Sequence, residues 1–220
     1  MNVKERIFEW LKKLKSSGEP VEVTGFYQEL PIRVKVRLLD FDGKFVQWES
    51  EPKLCLAAGD DGKLFFNFLD PFYGERRILG GDVTYYGSSF IETTFPLPAS
   101  DPRFGRECVR VRTSPELPVK VFVLNDGKEE EFPVIDISEE GVGAVGGKGF
   151  MKIGQPVKAR LLLPQGNLSF NGEVVSVEPY GDGEKFGIKL LTDQNGKKLL
   201  RDYVMTRQRE ILNKIREIAG

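Results

Sequence analysis

The sequence predicts a mainly β protein of two small domains, with a short α-helix at its start and a longer one at its end. Apolar and polar residues alternate with a period of two over several short segments, which is typical of half-buried strands. Gly, Pro, Asn and Asp separate these segments, as turn residues do. A helical spacing of apolar residues is clearest near the two ends of the chain.

The first half opens with an amphipathic helix, predicted over residues 3–15. Its apolar positions recur at helical spacing: Val3, Ile7, Leu11 and Leu14. From Val21 onward the period changes to two, and Gly or Pro punctuates the predicted strands. These strands cover residues 32–38, 44–48, 63–69, 82–86 and 89–95.

A proline-rich segment separates the two halves of the chain. Residues 96–102 hold three prolines in seven positions, a composition that suits an extended linker and resists regular structure. We therefore expect a first domain over residues 1–97, an interdomain linker and switch over residues 98–105, and a second domain over residues 106–220.

The second half repeats the strand pattern. Its predicted strands cover residues 117–124, 132–135, 157–163, 168–177 and 185–191. The first two are expected to form a hairpin across the Asn-Asp-Gly turn at residues 125–127. Short strands at this spacing indicate a small closed or nearly closed barrel. A helix with apolar positions between Leu199 and Ile215 ends the chain, and it could cap the barrel or serve a dimer.

The composition excludes several function classes. The chain has 32 basic and 33 acidic residues and a formal net charge of -1, so no global basic field attracts nucleic acid or an anionic membrane. Histidine is absent, which removes histidine-based triads and most catalytic zinc sites. Cys55 and Cys108 lack metal-ligand spacing. No apolar run approaches the ~20 residues of a membrane-spanning helix, and we expect a cytoplasmic protein without membrane insertion.

Two short motifs in the second half carry candidate binding residues. The first contains Arg106 and Arg110, and strand alternation would place Arg112 on the same face as Arg110. Guanidinium groups form bidentate hydrogen bonds with phosphates, match the O6 and N7 acceptors of guanine, and stack on planar bases. The first motif therefore suits a ligand that contains phosphate and guanine.

The second motif runs from Asp136 to Gly141 and adds complementary groups. The carboxylate of Asp136 can accept hydrogen bonds from the ring N–H and exocyclic amine of guanine, and Ser138 can bond a phosphate or a base edge. Gly141 and Gly143 allow close backbone approach. Both motifs together favour ligand binding over catalysis. The structural alternative is that these residues make only an ion pair and a turn.

The pattern Arg106-x-x-x-Arg110 followed by Asp136-x-Ser138-x-x-Gly141 resembles the signature of PilZ domains, receptors for the bacterial second messenger cyclic di-GMP. The resemblance covers roughly residues 103–218 and includes the segments 172–177 and 186–190 and the terminal helix. Two-domain chains of this kind resemble YcgR-type flagellar brakes. The resemblance implies a fold of two small antiparallel β-barrels, a YcgR-like N-terminal barrel with its leading helix and a PilZ barrel with its C-terminal helix.

The resemblance also implies a ligand and its contacts. Cyclic di-GMP is the expected ligand, with no other cofactor, no metal and no catalytic residue. Its expected contacts are Arg106, Arg110, Asp136, Ser138 and Gly141, and further candidates are Arg103, Gly105, Arg112 and Gly143. Many family members carry an arginine where this chain has Gly105, and Arg103 is a candidate substitute. Either one nucleotide or an intercalated pair is compatible with this departure.

The function implied is that of a receptor, not an enzyme. Ligand binding would change the arrangement of the two domains and regulate flagellar motility or related surface behaviour through a protein partner, such as a flagellar motor or stator component. A monomer and a homodimer are both compatible with the sequence. The alternative is a non-catalytic barrel for another ligand such as single-stranded nucleic acid, which the near-neutral charge disfavours. A phosphodiesterase would need a nucleophile, base or metal cluster, and the sequence offers none.

Overall fold

The computed structural model describes residues 2–116, 118–125 and 127–219. This part of the chain is mainly β, with three α-helices, which confirms the expected fold class. The chain divides into two compact units. The first comprises the residues up to Gly105 together with those from Asn213 onward, and the second comprises residues 106–212.

The first unit begins with helix α1, Val3–Ser17. Asn2 and Glu5 form a reciprocal capping box, in which the Glu5 amide donates to the Asn2 side chain at 2.9 Å and the Asn2 amide donates to the Glu5 carboxylate at 2.9 Å. Gly18 ends the helix in the left-handed conformation at φ 66°. Ile7 and Leu11 are fully buried, as their helical spacing predicts.

An antiparallel sheet forms the body of the first unit. Its strands are β1 Val21–Tyr27, β2 Leu30–Val36, β3 Leu38–Phe41, β4 Phe45–Glu49, β5 Lys63–Leu69, β6 Arg76–Tyr86, β7 Phe90–Thr94 and β8 Leu97–Pro98. They follow the order β2-β1-β5-β6-β7-β4-β3, and β8 pairs with β6. The sheet is a curled half-barrel rather than a closed one. Trp48 stacks on Phe66 inside it, with ring centroids 4.5 Å apart.

Helix α2, Pro52–Asp61, has no counterpart in the sequence prediction. The side chain of Glu51 caps it by accepting from the Leu54 amide at 2.9 Å. The helix packs closely on β1 at Gly25, where a Cβ atom would lie 2.5 Å from that of Ala57. Because only a residue without a side chain fits there, Gly25 determines how near α2 lies to the sheet.

The segment predicted as an extended linker is partly ordered within the first unit. Leu97 pairs with Gly80 and Pro98 with Leu79, and the Ala99 amide donates to the Ile78 carbonyl at 3.0 Å. Residues Pro102–Gly105 form a 3-10 helix. Proline is compatible with this pairing because β8 is short and the adjoining Ala99 supplies a donor.

The second unit is a closed six-strand barrel, as the sequence predicts. Its strands are β9 Arg110–Arg112, β10 Val119–Asn125, β11 Lys128–Ser138, β12 Gly141–Gly146, β13 Pro156–Leu163, β14 Gly166–Tyr180 and β15 Gly183–Leu191. The order β10-β13-β14-β15-β12-β11 closes where β10 pairs with β11, and β9 pairs with β11 as an additional strand. Leu117 and Asp126, which belong to the predicted first strand and turn of this half, lie outside the described residues.

Alternation along the strands separates the core of the barrel from its outer face. On β15 the side chains of Phe186, Ile188 and Leu190 are buried. Lys185, Gly187 and Lys189 alternate with them and therefore share the opposite face. Helix α3, Gln194–Ala219, follows the barrel. No helix in the described part of the chain is long and apolar enough to cross a membrane.

Substitution of Gly25 by alanine should destabilise the first unit. The new methyl group would overlap Ala57, and overpacking of this kind typically costs about 1–3 kcal/mol. Urea unfolding followed by tryptophan fluorescence measures this effect, because Trp10 and Trp48 both lie in the first unit. Gly105→Ala is the matched control, since nothing lies within 4 Å of its added Cβ. Equal unfolding midpoints for the two variants would contradict the close packing of α2.

Candidate ligand-binding site

The second unit contains a cleft of about 270 Å³ that both sequence motifs line. Arg106 and Arg110 come from the first motif, and Ser138 and Gly141 come from the second. The structure therefore brings four of the five principal candidates to a single cavity. The fifth, Asp136, lies directly behind Arg110 and is joined to it by an ion pair.

The ladder between β9 and β11 explains why the motifs meet. These strands are antiparallel, with Arg110 opposite Ser138 and Arg112 opposite Asp136. Arg110 and Asp136 are thus diagonal neighbours, a distance that long side chains span. Nη1 of Arg110 donates to Oδ1 of Asp136 at 3.0 Å. Val111 between the two arginines is fully buried, so the predicted alternation on β9 is present.

Asp136 is a buried carboxylate with two cationic neighbours. It is 2% exposed, and Nζ of Lys185 lies 2.6 Å from its Oδ2 atom. Gly143 faces it, and a Cβ atom at that position would lie 2.7 Å from both carboxylate oxygens. Gly143 is therefore required to make room for Asp136 rather than to line the cleft.

Ser138 organises the turn between β11 and β12. Its Oγ atom accepts a hydrogen bond from the Gly141 amide at 3.1 Å and donates to the Gly141 carbonyl at 3.3 Å. The hydroxyl is thereby held at the edge of the cleft in one orientation. The alternative to ligand binding was that these residues make only an ion pair and a turn. Both are present, but Arg110, Ser138 and Gly141 also line a cavity, which that alternative does not require.

The remaining candidates occupy different surroundings. Arg112 does not line the cleft, and its carbonyl accepts a hydrogen bond from Nε of Arg207 at 3.2 Å. Nothing lies within 4 Å of a Cβ built on Gly105. Neither Arg112 nor Gly105 lines the cavity to which the structure brings the principal candidates.

Arg103 is engaged within the first unit. Its guanidinium donates to Asp61 at 2.7 and 3.0 Å and to Asp101 at 2.9 and 2.7 Å, and it lies 3.9 Å from the centre of the Phe26 ring. Burial opposes its charge, but the hydrogen bonds to Asp101 and Asp61 outweigh burial and raise the pKa of Arg103 above its usual value. The structure does not bring Arg103 to the cleft.

Sequence reasoning missed several residues that complete the site. Lys185 contacts Asp136, and Gly187 and Lys189 line the cleft. All three lie on one face of β15, whose alternation was recognisable in the sequence. The signal that was missing is the register of β12 and β15, which pairs Gly143 with Gly187 and so places this face beside Asp136.

Cys108 lines the cleft close to acidic residues. Desolvation, with the nearby charges of Glu140, Glu139 and Glu107, raises the pKa of its thiol. A protonated thiol is a poor nucleophile, so the surroundings of Cys108 do not favour covalent chemistry. Among the described residues, no group of three or more His, Cys, Asp or Glu side chains is placed to hold a metal ion.

The second unit is thus a closed β-barrel with a partly basic cleft on it. Residues 104–206 match the family described as the PilZ domain. The match includes both motifs and confirms the resemblance to PilZ domains that they carry.

Solved structures of similar fold cover almost the whole chain. YcgR from Escherichia coli in complex with c-di-GMP is 13% identical, with 98% of this chain and 95% of that chain covered and a TM-score of 0.49. The K. pneumonia MrkH–c-di-GMP complex is 15% identical, with 97% of each chain covered and a TM-score of 0.49. The Bacillus subtilis inhibitor of motility MotI/DgrA is 14% identical, with 88% and 97% covered and a TM-score of 0.42. The comparison with curated proteins gives no match.

Alkylation of Cys108 should require a higher pH than alkylation of a free cysteine. Its thiol pKa is raised, so the reactive thiolate forms only at higher pH. The rate of reaction with iodoacetamide, measured against pH in a Cys55→Ser variant, checks this expectation. A small thiol of ordinary pKa in the same buffers is the reference. A Cys108 profile centred at or below that of the reference would contradict the acidic, desolvated environment.

Proposed function

We propose that this chain is a receptor that binds cyclic di-GMP in the cleft of its second unit and leaves it chemically unchanged. The observation that carries the proposal is the meeting of Arg106, Arg110, Ser138 and Gly141 in one cavity beside the buried Asp136. These groups match the two kinds of chemistry in the ligand, which contains two phosphates and two guanines.

The roles of the side chains follow from their chemistry. The guanidinium groups of Arg106 and Arg110 would hold phosphate oxygens or the acceptor edge of guanine. The carboxylate of Asp136 would accept from the N–H edge of guanine once Arg110 turns toward the ligand. Lys189 lines the same cleft and adds positive charge for an anionic ligand.

The residues before Arg106 offer a route from ligand binding to a change in domain arrangement. Phe104 packs edge-on against Phe26 and Phe65, with centroids 5.7 and 5.1 Å away. Arg103 is fixed by its two carboxylates. Arg106 lies only three residues after Arg103. Closure of Arg106 over the ligand would therefore pull on the segment that Arg103 and Phe104 hold in place. Such switching needs only a difference in ligand affinity between the two arrangements.

The proposal also includes the process that the receptor controls. Resemblance to flagellar brakes supports control of flagellar motility or related surface behaviour, through a protein partner such as a motor or stator component in the cytoplasm. The formal net charge of -1 supports a partner other than nucleic acid.

Arg106→Ala and Arg110→Ala should each weaken cyclic di-GMP binding by about thirtyfold or more. Truncation of one member of a desolvated charge pair typically costs ~2–5 kcal/mol, and 2 kcal/mol corresponds to about thirtyfold. Titration calorimetry measures the affinity and shows whether one or two nucleotides bind. Arg33→Ala is the control, because Arg33 is exposed on β2 and, with the exposed Arg37 just after that strand, repeats the spacing of Arg106 and Arg110.

Two results would refute the receptor proposal. The first is near-normal affinity in both arginine variants, or no binding by the unmodified chain. The second is the appearance of hydrolysis products when the chain is incubated with cyclic di-GMP and the mixture is separated by chromatography, which would indicate an enzyme.

A further inference from the structure

Asp136 is held by two cations that come from different strands. Arg110 on β9 contacts its Oδ1 atom at 3.0 Å, and Lys185 on β15 contacts its Oδ2 atom at 2.6 Å. The Asp136 side chain is 3% exposed, while those of Arg110 and Lys185 are 28% and 22% exposed. The carboxylate is thus far from water, and both of its counterions are nearer to the surface.

The two cations differ in their relation to the cleft. Arg110 lines the cavity, whereas Lys185 does not belong to its lining. Lys185 lies opposite Val145 in the ladder of β12 and β15, one pair beyond Ala144 and Phe186. From that position it contacts Oδ2 of the carboxylate, whereas Arg110 contacts Oδ1. The ligand can therefore recruit Arg110 without displacing Lys185.

A buried carboxylate without a counterion is strongly unfavourable. If Arg110 were its only cationic partner, transfer of Arg110 to a ligand phosphate would leave Asp136 uncompensated. The ion pair with Lys185 removes that obstacle, because one cation remains when the other leaves. A lysine is suited to this task, since its ammonium is a point charge that leaves Oδ1 available, whereas a guanidinium fork tends to engage both oxygens.

We propose that Lys185 is a positioning residue of the cyclic di-GMP site, and this inference rests on the proposed function. Lys185 compensates the charge of the Asp136 carboxylate and holds it in place, so that Arg110 can exchange the carboxylate for the ligand. Lys185 itself does not touch the nucleotide.

The first test is titration calorimetry of the full chain with cyclic di-GMP. Lys185→Met should weaken binding by about tenfold or more, because it removes one partner of a buried charge pair. Lys120→Met is the matched control: Lys120 forms an ion pair of the same 2.6 Å length with Glu131 in the same barrel and should bind like the unmodified chain. Circular dichroism verifies that each variant is folded, and Lys185→Gln replaces Lys185→Met if the latter does not fold.

The second test separates positioning from general damage to the barrel. In an Asp136→Asn background no charge remains to be compensated, so Lys185→Met should change the remaining affinity by less than about twofold. Lys185→Arg, which keeps the charge but can also engage Oδ1, should lose less affinity than Lys185→Met and more than the Lys120→Met control. A merely structural role for Lys185 would give the same loss in both backgrounds.

The outcomes distinguish this inference from the proposed function. Unchanged affinity in Lys185→Met, or equal losses with Asp136 and with Asn at position 136, would overturn the role of Lys185 while binding by the unmodified chain still supports the receptor. Failure of the unmodified chain to bind cyclic di-GMP would overturn the receptor proposal itself.

Discussion

The binding site depends on one buried carboxylate and on the strands that surround it. Asp136 lies on β11, its cations come from β9 and β15, and Gly143 on β12 provides the space that it occupies. A carboxylate at this depth is tolerable only when charges and hydrogen bonds compensate it. The pairing of β12 with β15 brings Lys185 beside the carboxylate and so supplies part of that compensation. The fold and the site are therefore linked through a single charged group.

The first unit contains the reverse arrangement of charges. There the cation of Arg103 lies between the carboxylates of Asp61 and Asp101 and over the ring of Phe26. The second unit has one anion between two cations, and the first has one cation between two anions. In each unit the central charge is balanced by residues of the same unit. Arg103 therefore fixes the residues before the motif, and Arg106 and Arg110 remain to define the cleft.

The sequence predicted those features that depend on local patterns. Alternation identified most strands, helical spacing identified α1, and the two motifs identified four residues that line one cavity. Helix α2 was missed because it has only ten residues and its few buried positions make a weak periodic signal. The sequence did not predict the ordered structure within residues 98–105, because proline content does not show whether a segment pairs with β6. Lys185 was missed because its contact with Asp136 depends on the register of β12 and β15, which no local pattern reveals.

The internal ion pair between Arg110 and Asp136 has a consequence for selectivity under the proposed function. A ligand must offer an anion to Arg110 and hydrogen-bond donors to Asp136, because their separation leaves the guanidinium and the Oδ1 atom each in need of a partner, while Lys185 stays on Oδ2. A simple phosphate would satisfy only the arginine, and a neutral guanine base whose N–H edge meets the carboxylate would offer no anion to the arginine. Either ligand would leave one desolvated group poorly paired, and unpaired groups of this kind discriminate strongly between ligands. A ligand that combines guanine and phosphate at a fixed separation replaces both halves of the ion pair at once.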